Sequence, residues 1–571
     1  MTLDGLTLNR IVMELNHSIV GGKIEKIYQP EREEIVLLLH TKSGKKRLVL
    51  SANGAECRIH LTERSKENPV DAPNFCMLLR KYLSSGRILS VCQYGLERIV
   101  EIEISSRDEM GFDKNYKLIC EIMGKYSNIM LVLDDKIVDS IKRVPPDMSS
   151  IRQVLPGVRY SAPPMDKLNP LYEEVTKLAE AILSGGLCSL QGISRQTEAE
   201  ILHRCGIGDM TPAFALIAAS RLKEFIGEAT QNPRPVLQKN MDGLPVFFSL
   251  VPYETYSEVG RIYFKSANEL LDGYYTSRYE FQLLKQKKDV LYRQLKKDIA
   301  RVSKKLKIQL ETLAQADNAE KYRLYGELLS ANIYAIEKGM KSAEVFNYYT
   351  GENVKIPLDE KLSPASNVQA YFKKVGKLKK AKEIAQHRAE EYEDELNYLE
   401  TQKYNVDLAK DLDDLSEVRA ELIKYGYIAL APKEKAIKRK DPLSKPLRFR
   451  VSDGFNVFAG RNSRQNDALT MHVASDEDIW FHAKNMPGSH VILFTEGRQA
   501  TDAAIVDAAN IAASLSAAKS GRVEIDYTQR KNIWKPNGAK PGMVLFKNQY
   551  SMIAQGGQEV LKQYAVTGED E

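Results

Sequence analysis

The chain has 571 residues, of which 43% are hydrophobic and 28% charged, a composition typical of folded protein with about three or four domains. The formal net charge of +6, from 82 basic and 76 acidic residues, neither indicates nor excludes a nucleic-acid partner. No run approaches the roughly 18 apolar residues of a membrane span, and the first residues lack the pattern of a secretory signal. The six cysteines are scattered singly, which argues against disulfides or structural zinc and predicts a cytoplasmic protein.

Residues 19–130 alternate short apolar runs with turns, which predicts a largely antiparallel β domain. The runs are KIEKIY, EIVLLLH, RLVLSA, CRIHL, ILSVCQYGLERIVEIEI, YKLICEIM and SNIMLVL. Helices are predicted at 4–19 and around 72–83, and the proline-rich stretch from Pro163 predicts a linker.

Beyond the linker, residues 171–183 are predicted to be helical, and SLQGISRQTEAEILHRCGIG is typical of two short helices joined by a glycine-containing turn. Such a hairpin presents helix amino termini and turn amides to a phosphate, so it can hold a nucleic-acid backbone without reading bases. A small helical linker domain would show the same pattern, so both interpretations stay open.

Two heptad seams predict a long helical arm. The first is formed by Leu295, Ile299, Val302, Leu306 and Leu313, and the second by Tyr371, Val375, Leu378, Ala385, Ala389, Tyr392, Leu396 and Leu399. An insert separates them, which favours an antiparallel hairpin about 60 Å long and a monomer, with dimerisation as the alternative. The insert predicts a tip module at about 318–370, and the second helix is expected to continue towards Tyr425.

The segment after Pro432, KEKAIKRKDPLSKPLRFR, predicts a basic linker that either contacts phosphates or is simply solvated. The rest predicts an α/β module. Its strands are expected in RFRVSDGFNVFAG, IWFHA, SHVILF, VEIDYT and MVLFK, with a helix over 502–520.

Three histidines in this module, His472, His482 and His490, raise the question of a metal site or general acid–base chemistry. Their spacing fits neither, since no HExxH is present and no carboxylate lies at a helical interval from them. We therefore expect no catalytic residue, no metal and no cofactor.

An RNA surface fits the same module better, because cations can bind phosphates and aromatic faces can stack on bases. The candidate residues are Arg461, Arg464, Trp480, His482 and Lys484. Trp480 and Phe481 alternate along a strand, so one of them is expected in the core.

Glu97 and Arg98 stand together just after a glycine and just before an alternating strand. A plain surface ion pair is the simpler interpretation, and the local sequence favours it. The alternative is a recognition pair, in which Arg98 contacts a phosphate or guanine edge and Glu97 accepts from an exocyclic amine.

Several strings together resemble the NFACT family along essentially the whole chain. GGKIEKIYQP, NFCMLLRKYL, GLERIVEIEI and EIMGKYSNIMLV resemble its amino-terminal domain, GELLSANIYAI and the heptad segments its middle region, and DIWFHAKNMPGSHVIL its RNA-binding module. The resemblance implies a multidomain α+β fold. Its parts would be a glycosylase-like β-rich domain at 1–165, a helical domain with a helix-hairpin-helix at 166–275, a coiled-coil arm at 276–430, and a basic linker with an α/β RNA-binding module at 431–571.

The resemblance also implies a function, ribosome quality control. The protein would bind obstructed large ribosomal subunits with peptidyl-tRNA, through rRNA and stalk-base proteins, and recruit tRNA, expected to be alanyl-tRNA, for alanine tailing without mRNA. Peptide-bond formation would belong to the ribosome, so the chain is expected to position substrates and not to be an enzyme. Because the chain ends before the extra domain of eukaryotic relatives, it resembles the bacterial members.

Site residues follow from the same resemblance. The family's Asp-Arg pair for tRNA recruitment falls on Glu97 and Arg98, with Glu one methylene longer than the usual Asp. Glu121, Ile122 and Met123 match its second tRNA-facing motif. We expect the role to persist because charge and acceptor character are kept.

Two other functions are alternatives. Some family members are described as fibronectin-binding, which suggests a surface adhesin. The first domain also resembles DNA glycosylases, which suggests a repair-type protein, although Met1 and Thr2 replace the amino-terminal proline nucleophile and its neighbouring glutamate.

Overall fold

The computed structural model describes residues 3–107, 110–149, 152–206, 208–240, 243–429 and 445–566. The chain folds into two compact units, Met1–Gln282 and Leu283–Glu571. Most of the predicted basic linker, at 433–444, lies outside the described residues. Among the helices that the structure describes, none is both long and apolar enough to cross a membrane.

An antiparallel sheet forms the centre of the first unit. In the described residues its strands are β1 Lys23–Glu31, β2 Glu34–Thr41, β3 Gly44–Ser51, β4 Arg58–Leu61, β5 Arg87–Gln93, β6 Ile99–Arg107, β7 Asp113–Glu121, β8 Asn128–Leu133 and β9 Lys136–Ser140. Their order is β4-β3-β2-β1-β5-β6-β7-β8-β9, so hairpins build both halves and β1 joins β5. The seven predicted runs cover β1 to β8, with β5 and β6 in a single run, whereas β9 was not predicted.

Helices and a small sheet complete this unit. They are α1 Gly5–Ile19, α2 Asn74–Leu83, α3 Val175–Gly185, α4 Arg195–Cys205, α5 Pro212–Gln231, β10 Val236–Lys239, β11 Pro245–Ser249 and β12 Arg261–Tyr263. Helix α1 begins where the Asp4 carboxylate accepts from the amide of Thr7 at 2.8 Å. Its apolar face, with Ile11 and Leu15, is fully buried in the core.

Two expectations for residues 166–275 need correction. The string predicted as two short helices contains one α-helix in its described part, α4, preceded by a 3-10 turn at Leu187–Ser189. Gly192, between that turn and α4, has a φ of +76°, a conformation that interrupts a helix. The region is also not wholly helical, because β10, β11 and β12 form a three-stranded antiparallel sheet within it.

The arm is an antiparallel helical hairpin, as the seams predicted. Its long helices are α6 Ala267–Ala316 and α8 Pro364–Leu408. The Lys288 ammonium donates to the carbonyl oxygen of Asp407 at 3.1 Å, and further along the pair Asp317 contacts Lys382 at 2.8 Å. Residue numbers rise on one helix as they fall on the other, which defines an antiparallel pair. Both seams are buried or half-buried.

A tip module lies between these helices, in the predicted insert. It consists of α7 Ala319–Ala331 and a hairpin of β13 Ser342–Asn347 with β14 Glu352–Pro357, with its own apolar core. The second long helix does not continue to Tyr425 as expected. It ends at Leu408, and a separate helix, α9 Leu412–Lys424, begins where Asp411 accepts from the amide of Asp414 at 2.8 Å.

The carboxy-terminal part is a sheet domain. Its described elements are β15 Leu447–Arg450, β16 Asn456–Ala459, α10 Ser463–Ala468, β17 Ile479–Ala483, β18 Val491–Phe494, α11 Asp502–Ser514, β19 Gly521–Gln529, β20 Ile533–Trp534, β21 Leu545–Phe546, β22 Tyr550–Gly556 and α12 Gln558–Tyr564. The main sheet has the antiparallel order β15-β16-β18-β17-β19-β22. Helix α11 ends at Ser514, short of the predicted residue 520, because the following backbone bonds to Pro487 and Ser489.

Candidate RNA interface

The Glu97–Arg98 turn connects β5 to β6 and is held by backbone contacts. The side-chain amide nitrogen of Gln93 donates at 2.9 Å to the backbone carbonyl oxygens of both Gly5 and Glu97. The backbone N–H of Leu96 donates to Gln191 Oε1 at 3.1 Å, and a Cβ on Gly192 would come within 2.8 Å of Leu96. Gln93, the segment before α4 and the start of α1 therefore fix the shape of this turn.

The side chains of Glu97 and Arg98 are half-buried, and in the described part of the chain neither makes an ion pair or a hydrogen bond. The surface ion pair that the local sequence favoured is therefore wrong. Arg98 lies near the start of α1, where its charge opposes the burial that raises the pKa of Asp4. A guanidinium beside a helix amino terminus, with its donors unused, can bind a phosphate or a base edge.

The second motif lies next to this turn. In the register of β6 and β7, Ile99 pairs with Glu121, and the amide of Ile122 donates to the carbonyl oxygen of Arg98 at 2.8 Å. Glu97, Arg98, Glu121, Ile122 and Met123 are thus brought together at one end of the sheet.

Within that group the side chains have different surroundings. Glu121 is 3% exposed, 2.5 Å from the Arg152 guanidinium, and it accepts from the Tyr160 hydroxyl at 3.1 Å. Burial raises the pKa of Glu121, and Arg152 opposes that shift. Ile122 is fully buried. Glu121 and Ile122 are therefore buried beneath the site and support it, whereas Glu97 and Arg98 are open enough to contact a ligand.

The predicted stacking residue of the carboxy-terminal domain is not available in this structure. Trp480 is 1% exposed and Phe481 is fully buried, so one of them lies in the core as expected, but Trp480 is buried as well and cannot stack on a base. Phe481 packs beneath α11, while Trp480 is covered on the other face by residues around β20 and β21. Both faces of the sheet are covered, which alternation along one strand does not reveal.

The other predicted RNA-binding residues differ in how freely they can bind. His482 stacks on Trp480 at 5.6 Å, and burial lowers the pKa of His482 to about 4, so it is neutral at pH 7. Arg461 is 3.4 Å from Asp414, and Lys484 is 2.6 Å from Glu524. Arg464 is exposed and makes no hydrogen bond or ion pair with any residue that the structure describes.

Comparison with known proteins decides the family. Residues 4–441 match the family model of the NFACT N-terminal and middle domains, and residues 445–548 match that of the NFACT protein RNA binding domain. The chain belongs to the NFACT family. It is 35% identical to the Rqc2 homolog RqcH of Bacillus subtilis over 97% of this chain and 98% of that protein.

Other relatives of this NFACT chain are similar. It is 36% identical to the Rqc2 homolog RqcH of Streptococcus pneumoniae over 97% of both chains. A solved structure, the N-terminal part of the fibronectin/fibrinogen-binding protein from Streptococcus suis, is 33% identical and covers 48% of this chain and 99% of that one, with a TM-score of 0.42.

One aromatic side chain of the NFACT RNA-binding domain was missed by the sequence reasoning. Trp534, on β20, is 44% exposed and pairs in register with the exposed Leu545. Exposed Lys531 precedes it, and Lys547 is exposed on the paired segment. The signal was available in KNIWK, where cations flank the tryptophan. Among the described residues, no cluster of His, Cys, Asp and Glu could hold a metal ion.

Proposed function

We propose that this ribosome quality control factor recruits a tRNA, with alanyl-tRNA as the expected form, to obstructed large ribosomal subunits that hold peptidyl-tRNA. It then positions that tRNA for addition of alanine to the stalled chain without mRNA. The bond chemistry belongs to the ribosome, and the protein contributes by removing the entropy of bringing the substrates together. It acts as a monomer in the cytoplasm.

The observation that carries the proposal is the turn at Glu97 and Arg98. Its backbone is fixed by Gln93 and Gln191, while neither charged side chain makes an ion pair or a hydrogen bond in the described part of the chain. A charged pair held ready without internal partners is suited to an external polar ligand, because binding does not require breaking an ion pair. Glu97 keeps the acceptor character of the aspartate that the family usually has.

The arm supports a partner as large as the ribosome. Helix α8 has 45 residues, so it is about 68 Å long at 1.5 Å per residue. Its tip module exposes the aromatic side chains of Tyr334, Phe346 and Tyr349, which suit a contact with the stalk base. We further infer that residues 1–165 form a glycosylase-like domain and that 431–571 contact RNA.

The test uses the tagged full-length protein, recovered from cells at physiological salt, followed by sequencing of the RNA bound to it. We expect large-subunit rRNA and one dominant elongator tRNA with the parent protein. Arg98→Ala should retain the rRNA and lose the tRNA and alanine tailing. Arg107→Ala, at the exposed far end of β6, is the matched control and should retain both.

Equal tRNA recovery and normal tailing with a folded Arg98→Ala variant would contradict the proposal. Glu97→Asp should preserve recruitment, since it restores the residue that the family usually has, whereas Glu97→Gln should weaken it by removing the charge. The identity of the recovered tRNA tests alanine directly.

A further inference from the structure

A cavity of about 170 Å³ lies in the first unit, on the outer face of β1 to β4 and against the start of α6. On β2, the side chains of Ile35 and Leu37 enter the main core, whereas Val36 and Leu38 line the cavity. Val49 of β3 adds to this apolar floor. The cavity is therefore separate from the turn that carries Glu97 and Arg98.

The acidic groups that line the cavity already have partners. Glu34 is 3% exposed and contacts both Arg58 and Lys66 at 2.7 Å. Asp272 accepts from the Thr62 hydroxyl at 2.5 Å. The charge of Glu34 is offset by two internal cations, whereas Asp272 accepts a hydrogen bond and keeps its negative charge. The carboxylates therefore oppose an anionic ligand less than their number suggests.

Two guanidinium groups keep donors for a ligand. Arg47 uses its Nη1 atom on the carbonyl oxygens of Glu63 and Arg64, at 2.9 and 3.0 Å. The Arg64 guanidinium lies 3.6 Å from the centre of the Tyr279 ring. Neither arginine makes an ion pair with a carboxylate in the described residues. A guanidinium fork of this kind matches the oxygen geometry of a phosphate.

Aromatic and polar groups complete the walls. Tyr28 and Tyr279 line the cavity, and Tyr279 is 39% exposed. His60 is 2% exposed, its Nε2 atom is 3.8 Å from Asp272, and its Nδ1 atom has no hydrogen-bond partner. An apolar floor with aromatic walls suits a planar base.

We propose that this cavity binds one nucleotide of a single-stranded RNA segment, with the base against the tyrosine rings and the phosphate at Arg47 and Arg64. The proposal rests on the proposed function for RNA as the ligand, and it adds a contact that the tRNA motif does not contain. An acidic peptide could satisfy the two arginines, but it would leave the aromatic walls and apolar floor without a planar partner.

A chain of contacts connects Glu121 of the tRNA motif to the start of β2, the strand that lines the cavity with Val36 and Leu38. Glu121 pairs in register with Asn128, whose side chain donates to the carbonyl oxygen of Lys142 at 2.8 Å. The Lys142 ammonium donates to Ala52 at 2.6 Å and lies 3.4 Å from Glu33, which precedes β2.

The test measures binding of fluorescently labelled single-stranded RNA octamers to the full-length protein by anisotropy, at several salt concentrations. Arg47→Ala with Arg64→Ala should weaken binding about tenfold and reduce the salt dependence by about one to two phosphate contacts. Tyr279→Ala should weaken binding by about tenfold as well, and Tyr279→Phe should retain it because the ring is kept. Arg107→Ala and Tyr172→Ala, both at exposed positions outside the cavity, are the matched controls.

Arg98→Ala and tRNA binding are measured in parallel to separate the two proposals. Loss of tRNA by Arg98→Ala with unchanged octamer binding supports both. If Arg98→Ala binds tRNA normally while the cavity variants still lose octamer binding, the role assigned to the tRNA motif is contradicted and the cavity assignment stands. No octamer binding by the parent, equal losses in the controls, or binding of an acidic peptide alone at these residues would overturn the cavity proposal.

Discussion

The backbone N–H of Ile122 donates to the carbonyl oxygen of Arg98 at 2.8 Å, and this bond joins the two halves of the candidate tRNA site. Ile122 is fully buried, and the preceding residue, Glu121, is 2.5 Å from the Arg152 guanidinium. The backbone of Arg98 is therefore bonded to a residue that adjoins a buried ion pair. Substitution of the buried residues that support the turn should weaken tRNA binding, although these residues do not contact the tRNA.

Arg152→Ala tests this dependence. The substitution leaves the Glu121 carboxylate buried without its cation, which we expect to lower the free energy of unfolding by about 3–5 kcal/mol. The Arg98 turn should shift with it, so tRNA binding by the folded fraction should also weaken. Urea unfolding and tRNA filter binding measure the two effects.

Arg159→Ala is the control for that variant. Arg159 pairs with Asp135 at 3.4 Å, and both side chains are well exposed, so its loss should scarcely change stability or tRNA binding. If Arg152→Ala bound tRNA as tightly as Arg159→Ala, Glu121 would have no part in positioning the turn.

The sequence predicts an element well when its pattern of apolar residues is long and only one of its faces is buried. Seven predicted runs cover eight strands of the first sheet, and both seams of the arm were found, because long alternation and heptad spacing are strong signals. The sheet of β10, β11 and β12 was missed because its strands have only four, five and three residues. Trp480 was misjudged because burial on both faces of its sheet arises from segments distant in sequence.

The candidate tRNA site shows a different limit. The residue strings identified Glu97 and Arg98, but their expected ion pair was wrong, and the supporting bonds come from Gln93, Gln191 and Arg152. These contacts cross as many as 95 residues of sequence, so no local pattern contains them. The resemblance to the family identified the motif, whereas the contacts that support it are visible only in the folded structure.

Lys540→Met should weaken the attachment of the carboxy-terminal domain to the base of the arm. The Lys540 ammonium lies 4.0 Å from the centre of the Tyr398 ring and donates to the Tyr427 hydroxyl at 3.0 Å. Methionine keeps most of the length and removes the charge, so we expect a loss of about 1–2 kcal/mol in the free energy of unfolding.

Tryptophan fluorescence measures that loss in one domain, because both tryptophans of the chain, Trp480 and Trp534, lie in the carboxy-terminal domain. Lys547→Met, at an exposed position, is the control and should unfold like the parent. Arginine at position 540 should retain part of the stability, since a guanidinium also binds aromatic faces. Equal unfolding of the two methionine variants would mean that the tyrosine contacts contribute nothing.

The tip aromatics should determine binding to the large subunit. Replacing Tyr334, Phe346 and Tyr349 together with alanine removes three exposed rings without touching the buried core of the tip, which includes Leu328 and Ile356. We expect at least tenfold weaker co-sedimentation with obstructed large subunits and unchanged tRNA binding. Tyr172→Ala, which removes an equally exposed ring from the first unit, should co-sediment normally. Normal co-sedimentation of the triple variant would assign ribosome contact to other surfaces.

A buried carboxyl group makes the stability of the second unit depend on pH. Glu421 is 4% exposed, accepts from the Tyr398 hydroxyl at 3.1 Å and from the Gln402 amide at 2.7 Å, and burial raises its pKa to about 7. Gln402 also donates to Ser463, so Glu421 lies where the arm base meets the carboxy-terminal domain.

The sign of the effect follows from proton binding. Because the pKa of Glu421 is higher in the folded protein than its ordinary value of 4.5, the folded state binds this proton more tightly. The resulting stabilisation is fully present below pH 4.5 and is lost as pH rises through about 7, by an amount on the order of 3 kcal/mol. Glu421→Gln keeps an acceptor for both hydrogen bonds and cannot ionise. It should therefore unfold at higher urea than the parent at pH 8, and the difference should shrink towards pH 5. A parent and variant with parallel pH profiles would show that Glu421 ionises normally in the folded protein.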